Sequence, residues 1–103
     1  MNYWSHVGIP NVKRKENVFD NVCRVFELTS IELRSRKRFR KIVDGKTALC
    51  YILHRKCGLT STEVAAFMKL NHATILHHCK KAEGLIETDK EYLSKLKQLN
   101  IIL

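Results

Sequence analysis

Residues 60–82 read "TSTEVAAFMKLNHATILHHCKKA", and the two helix starts inside this stretch decide how the chain folds. Thr60 with Glu63 forms the S/T-x-x-E capping box, in which a hydroxyl and a carboxylate satisfy the free N–H groups of a first helical turn. Asn71 is a second residue of N-cap type. Ser61 to Met68 then reads as a short helix and Lys69 to Asn71 as a tight turn. From His72 a longer helix carries Ile75, Leu76, Cys79 and Ala82 toward a core. A short helix, a turn of about three residues and a helix with a polar first turn describe a helix-turn-helix, whose second helix enters the DNA major groove.

The rest of the chain supplies the partners such a pair needs. Two further capping boxes, Thr29 with Glu32 and Thr88 with Glu91, each precede apolar residues. Val18, Val22 and Val25, together with Phe19, Cys23 and Phe26, predict a first helix over Asn17 to Leu28 with a broad apolar face. Ser30 to Arg34 has room only for a short turn of helix. Thr47 to Lys56 is apolar almost all round, which suits a central helix buried by its neighbours, and Gly58 supplies its stop. Gly84 either ends the recognition helix or lies within it. Tyr92, Leu96, Leu99 and Leu103 repeat at helical spacing, and no segment alternates with period two. The expectation is an all-α bundle of about five or six helices with a helix-turn-helix, residues 1–16 forming an N-terminal arm and residues 17–103 the domain. Within the arm, Trp4 is expected to pack on the bundle because its burial removes a large apolar area from water.

Charge narrows the function. The formal net charge is +9 on 12.0 kDa, with a sequence pI near 9.7, which points to a polyanionic partner. The cations are concentrated: Arg34, Arg36, Lys37, Arg38, Arg40, Lys41 and Lys46 stand close together with only Asp44 opposing them. Lipid is a weaker partner than nucleic acid, since this run lacks the amphipathic helix that membrane binding uses. There is no membrane-spanning apolar run and no signal-peptide core, so the expected setting is cytoplasmic, in a bacterial or phage-infected cell, associated with the nucleoid. Cys23, Cys50, Cys57 and Cys79 are then expected as reduced thiols.

Three chemical readings lose on spacing. "IVDGKTALCY" (residues 42–51) resembles the end of a phosphate-binding loop, but G-x-x-x-x-G-K-[ST] requires a glycine where Arg40 stands. Cys50, His54 and Cys57 share a helical face, yet the usual close cysteine pair of a zinc site is missing, so no metal is expected. His77 and His78 lack a carboxylate to form a catalytic pair, the nearest acid in sequence, Glu83, standing more than a helical turn away, so phosphate contact or solvation is expected of them. The chain reads as a non-enzyme, with no catalytic residues and no cofactor.

Two motifs, "LRSRKRFRKIV" at 33–43 and "LNHATILHHCKK" at 70–81, resemble the basic loop and the recognition-helix signature of the DNA-binding C-terminal domain of the bacterial replication initiator DnaA. That family's loop runs Leu-x-Ser-Lys-x-Arg-x-Arg and its signature Arg-Asp-His-Thr-Thr-Val-Leu-His-Ala; the fold is a helix-turn-helix related to the Trp repressor's. The resemblance extends from about Asn17 to Leu99. It implies that Arg38 enters the minor groove while Arg36 and Arg40 support it on the backbone. Asn71 and His72 would read bases in the major groove, with Ala73 in the place of a base-contacting threonine. Thr74, His77 and Lys46 match phosphate-side positions, and Lys80 and Lys81 lie where phosphates would be reached. Leu70, Ala73, Asp44 and Gly45 depart from the family's residues, which implies a shifted preferred site.

The function expected is sequence-selective binding of double-stranded DNA by a monomer, without an ATPase module, in replication or transcription control; a phage or mobile element is a plausible source. The alternative is a small adaptor or inhibitor that binds a replication or transcription protein.

Overall fold

The computed structural model describes the backbone of residues 11–102 and the side chains of residues 15–99. Among these residues six α-helices follow in order: α1 (Asn11–Phe26), α2 (Ser30–Arg34), α3 (Arg40–Tyr51), α4 (Ser61–Met68), α5 (His72–Thr88) and α6 (Lys90–Ile102). Among the described residues there is no strand. The helix-turn-helix is α4 and α5.

The local signals that open α2, α4 and α5 are realised atom by atom. Thr29 and Thr60 each accept from the N–H of the glutamate three residues on, and Glu32 and Glu63 return the bond to the N–H of the threonine. Asn71 Oδ1 accepts from Ala73 N at 2.7 Å. The third expected box is replaced: Thr88 ends α5 and donates back to the Gly84 carbonyl, and Asp89 caps α6 through Tyr92 N at 3.1 Å. A carboxylate one residue on outcompetes the hydroxyl, because a charged acceptor binds backbone N–H more strongly. Gly84 lies inside α5.

Helix ends at Phe26 and Met68 use left-handed residues that are not glycine. Glu27 (φ 56°) and Lys69 (φ 58°) turn the chain so that Leu28 N reaches Cys23 O and Leu70 N reaches Ala65 O. Gly58 (φ 77°) serves the same purpose after α3, as its sequence position predicted.

Two helix starts differ from the sequence reading. α1 begins at Asn11, so its first turns occupy part of the segment read as an arm; these residues are polar and basic and carry no apolar periodicity to betray a helix. α3 begins at Arg40, well before Thr47, because its first turns bury Ile42 beside a glycine and a lysine. The expected packing of Trp4, and the role of Leu103, lie outside the described residues.

α3 is the central helix. It packs against α1 on one side and α5 on the other, and runs directly into a π-helical turn over Ile52–Lys56. Ala48, Leu49, Cys50, Ile52 and Leu53 are buried on it, joined by Val22 and Phe26 from α1, Leu33 from α2, Val64 from α4, Ile75 from α5 and Leu99 from α6. Gly45 is buried against α2's flank: a Cβ there would lie 2.6 Å from Leu28 Cδ1 and 3.2 Å from Leu33 Cδ1. One polar pair crosses the core. Thr47 Oγ1 donates to the Asp44 carbonyl and accepts from the Tyr92 hydroxyl at 2.8 Å, and burial pushes the phenol's pKa well up, so it stays a donor.

Candidate nucleic-acid interface

The candidate interface starts with the loop between α2 and α3, residues 35–39, which the sequence makes cationic and the structure anchors at its start. Arg34 roots it: the guanidinium donates to the Phe67 carbonyl at 3.1 Å and stacks over the rings of Phe19 (4.6 Å) and Phe67 (5.1 Å). Ser35 caps α2 by returning to the Glu32 carbonyl. Lys46, mostly buried on α3, sends its ammonium to the Ser35 carbonyl, and burial lowers its pKa. Gly45, Lys46 and Thr47 therefore belong to a packed helix interior, and the lysine of the apparent phosphate-binding triplet holds the loop in place.

Opposite the loop stands the first half of α5. The two enclose a concavity of about 730 Å³. Its walls carry Arg36, Lys37 and Arg38 from the loop, Lys46 from α3, Lys69 from the turn and Lys81 from α5, and no carboxylate lines it. Asn71, Thr74, His77 and His78 complete the α5 side. With so many cations facing one hollow and no acid to neutralise them, the field there is strongly positive and focused.

The expected site residues divide into those that line this groove and those that do not. Arg36, Arg38, Lys46, Asn71, Thr74, His77 and Lys81 line it. His72, Ala73 and Lys80 are exposed on α5 without lining it. Asn71 spends its side-chain oxygen on the helix cap, which leaves its amide N–H groups for a ligand. Arg40 turns the other way, with Nη2 at 2.9 Å from Asp89 and Nε at 3.5 Å from Asp44. It borders a separate hollow of about 350 Å³ shared with Arg38 and Lys81.

Lys37, Lys69 and His78 were not singled out as site residues. Lys37 sits inside the basic run and was legible there. Lys69 lines the groove from the left-handed turn position. His78 lies one residue past His77, and its Nδ1 is buried with no hydrogen-bond partner among the described residues. Burial first, then the neighbouring His77, Lys46 and Lys81, push its pKa down.

His54 Nδ1 shares a 2.7 Å hydrogen bond with the Leu59 carbonyl, and burial pushes the Cys50 thiol up to about 12. Among the described residues, no group of three or more His, Cys, Asp or Glu is placed to hold a metal. Nor, among them, is any helix long and apolar enough to cross a membrane.

A short helix, a left-handed turn and a second helix facing a cationic loop put the chain in the helix-turn-helix class. Residues 15–82, from α1 through the middle of α5, match the family described as bacterial dnaA protein helix-turn-helix, and the chain belongs to that family. Relatives include the chromosomal replication initiator protein DnaA of Bacteroides fragilis, 27% identical over 89 residues, covering 85% of this chain and 19% of the relative. The proteins of the same name from Campylobacter jejuni subsp. jejuni (26% over 93 residues; 84% and 21%) and Flavobacterium psychrophilum (27% over 97 residues; 89% and 20%) also align. The chain thus spans about a fifth of the length of these relatives.

Proposed function

We propose that this chain binds double-stranded DNA sequence-selectively, with α5 in the major groove and the 35–39 loop over the adjacent minor groove, in the control of replication or transcription. The observation that carries this reading is the acid-free cationic groove between the loop and the first turns of α5. Lys and Arg supply the salt-dependent attraction to phosphates, and the exposed polar residues of the first recognition turn supply discrimination.

Arg38 enters the minor groove. Asn71, through its amide N–H groups, and His72 meet base edges, and the Ala73 methyl is suited to a thymine methyl. Arg36, Thr74, His77, Lys80 and Lys81 contact phosphates. Lys46 and Arg40 act mainly on the loop: one anchors its start through Ser35, and the other ties its end to Asp89. A single domain of this kind covers one short site as a monomer.

The test is selection of bound duplexes from a random-sequence pool, followed by anisotropy on the selected and a scrambled duplex across a salt series. A preference for the selected duplex that persists near 0.2 M salt supports the proposal, because steering charges alone are largely screened there. Negligible binding to both duplexes would overturn it and favour a protein partner.

A further inference from the structure

We propose that Phe39 is an aromatic wedge that enters a base step from the minor groove beside Arg38 and unstacks it. This rests on the DNA-binding reading above and adds a residue that reading does not use.

Phe39 is 66% exposed, whereas the other phenylalanines of the chain are packed: Phe19 and Phe26 are buried, and Phe67 packs against the core. The aromatic and cation contacts of the described residues involve those three rings, Tyr92 and the paired histidines, and none involves Phe39. The residue also breaks a local rule. It occupies the N-cap of α3 without a side-chain cap, where Thr29, Thr60 and Asn71 provide one for α2, α4 and α5. Serine, threonine, aspartate and asparagine are preferred there because they satisfy an otherwise free N–H. Neither packing nor capping accounts for the ring.

Position supplies a use. Phe39 stands between Arg38, which lines the groove, and Arg40. Its backbone is extended, at φ −62° and ψ 139°, with its carbonyl accepting the first helical bond from Val43 N at 3.0 Å. An apolar ring exposed on the loop between two arginines is brought to the phosphates by its neighbours in sequence and is itself suited to a base face. Minor-groove proteins insert phenylalanine between base pairs in this way, and a base stacked on an aromatic ring gains affinity with little sequence preference. Ile31, a large apolar residue 81% exposed, lies on α2 outside the stretch between Arg38 and Arg40, so it serves as the control.

The experiment places 2-aminopurine at each adenine of the selected duplex and compares wild type, Phe39→Ser and Ile31→Ser. Serine at an N-cap protects the fold, and a melting curve no lower than wild type verifies it. The expected result is a fluorescence rise at one step with wild type and with Ile31→Ser. Phe39→Ser abolishes the rise and binds about tenfold more weakly, with an unchanged salt slope. Absence of duplex binding by wild type would overturn the DNA reading and this proposal together. Binding without a fluorescence rise, a rise that survives in Phe39→Ser, or an equal loss in Ile31→Ser would overturn this proposal alone.

Discussion

The cations in and around the groove divide by what they give up in the free protein. Lys46 and Arg34 have their charged groups committed to backbone carbonyls, while Arg38 and Lys81 have no such commitment. Arg38→Ala is therefore expected to weaken binding by roughly 1–3 kcal/mol, most strongly where the minor groove is narrow and A·T-rich. Lys81→Ala should weaken all duplexes alike and lower the salt slope by about one. Anisotropy on A·T-rich and G·C-rich duplexes separates the two, and an equal loss for Arg38→Ala on both would reduce that residue to a phosphate contact. Two helical glycines, Gly84 and Gly45, make an opposed pair. At Gly84 an added Cβ meets nothing within 4 Å, so Gly84→Ala should raise stability by about 0.5–1 kcal/mol, the helical preference for alanine. At Gly45 added carbons run into Leu28 and Leu33, and Gly45→Leu should lose about 2 kcal/mol or more. Urea unfolding measures both.

At the scale of elements, the helix-turn-helix depends on how its short first helix is held. α4 spans only Ser61–Met68, too short to be stable by itself, so its cap and its buried Val64, Ala65 and Met68 must hold it. Thr60→Ala removes the acceptor for Glu63 N and is expected to cost about 1 kcal/mol. Hydrogen exchange should show that loss first in α4 and the following turn; protection lost uniformly over the chain would mean that α4 does not open separately. Two of the three predicted capping boxes were legible because the motif is local, a side chain meeting a backbone N–H three residues away. The third failed at Thr88 because Asp89 is the stronger acceptor for α6. The starts of α1 and α3 were missed because polar first turns carry no period, and what makes Arg40 to Lys46 helical is contact with Leu28, Leu33 and Ser35.

The whole molecule sets the response to pH. Burial and three neighbouring bases depress the pKa of His78 below its ordinary value of 6.5. The unfolded chain therefore takes up a proton that the folded one resists, and stability is lost as pH falls from about 7 through 6.5 and below. The melting temperature should drop between pH 7 and 5.5, and His78→Ala should flatten that drop. A slope unchanged in the variant would place the proton uptake elsewhere. Glu32 and Glu63 act at lower pH, since their capping bonds hold both carboxyls below 4.5. Their contribution is present at neutral pH and disappears as acid reaches those carboxylates, outside the window in which His78 is tested.

The sequence by itself determined the all-helical class, the helix-turn-helix at 61–82, the basic loop and the strongly positive net charge. These follow from helical spacing, local capping and net charge, which do not depend on distant contacts. The tertiary structure decided which cations are available. Arg34, Arg36, Arg38, Arg40 and Lys46 look alike in a basic run, yet one stacks on two phenylalanines, one reaches across to Asp89, one is folded under the loop, and Arg36 and Arg38 face α5. That sorting depends on Phe67, Asp89 and α5, all far along the chain, because a long charged side chain takes the direction of whatever acceptor or ring the fold brings within its reach.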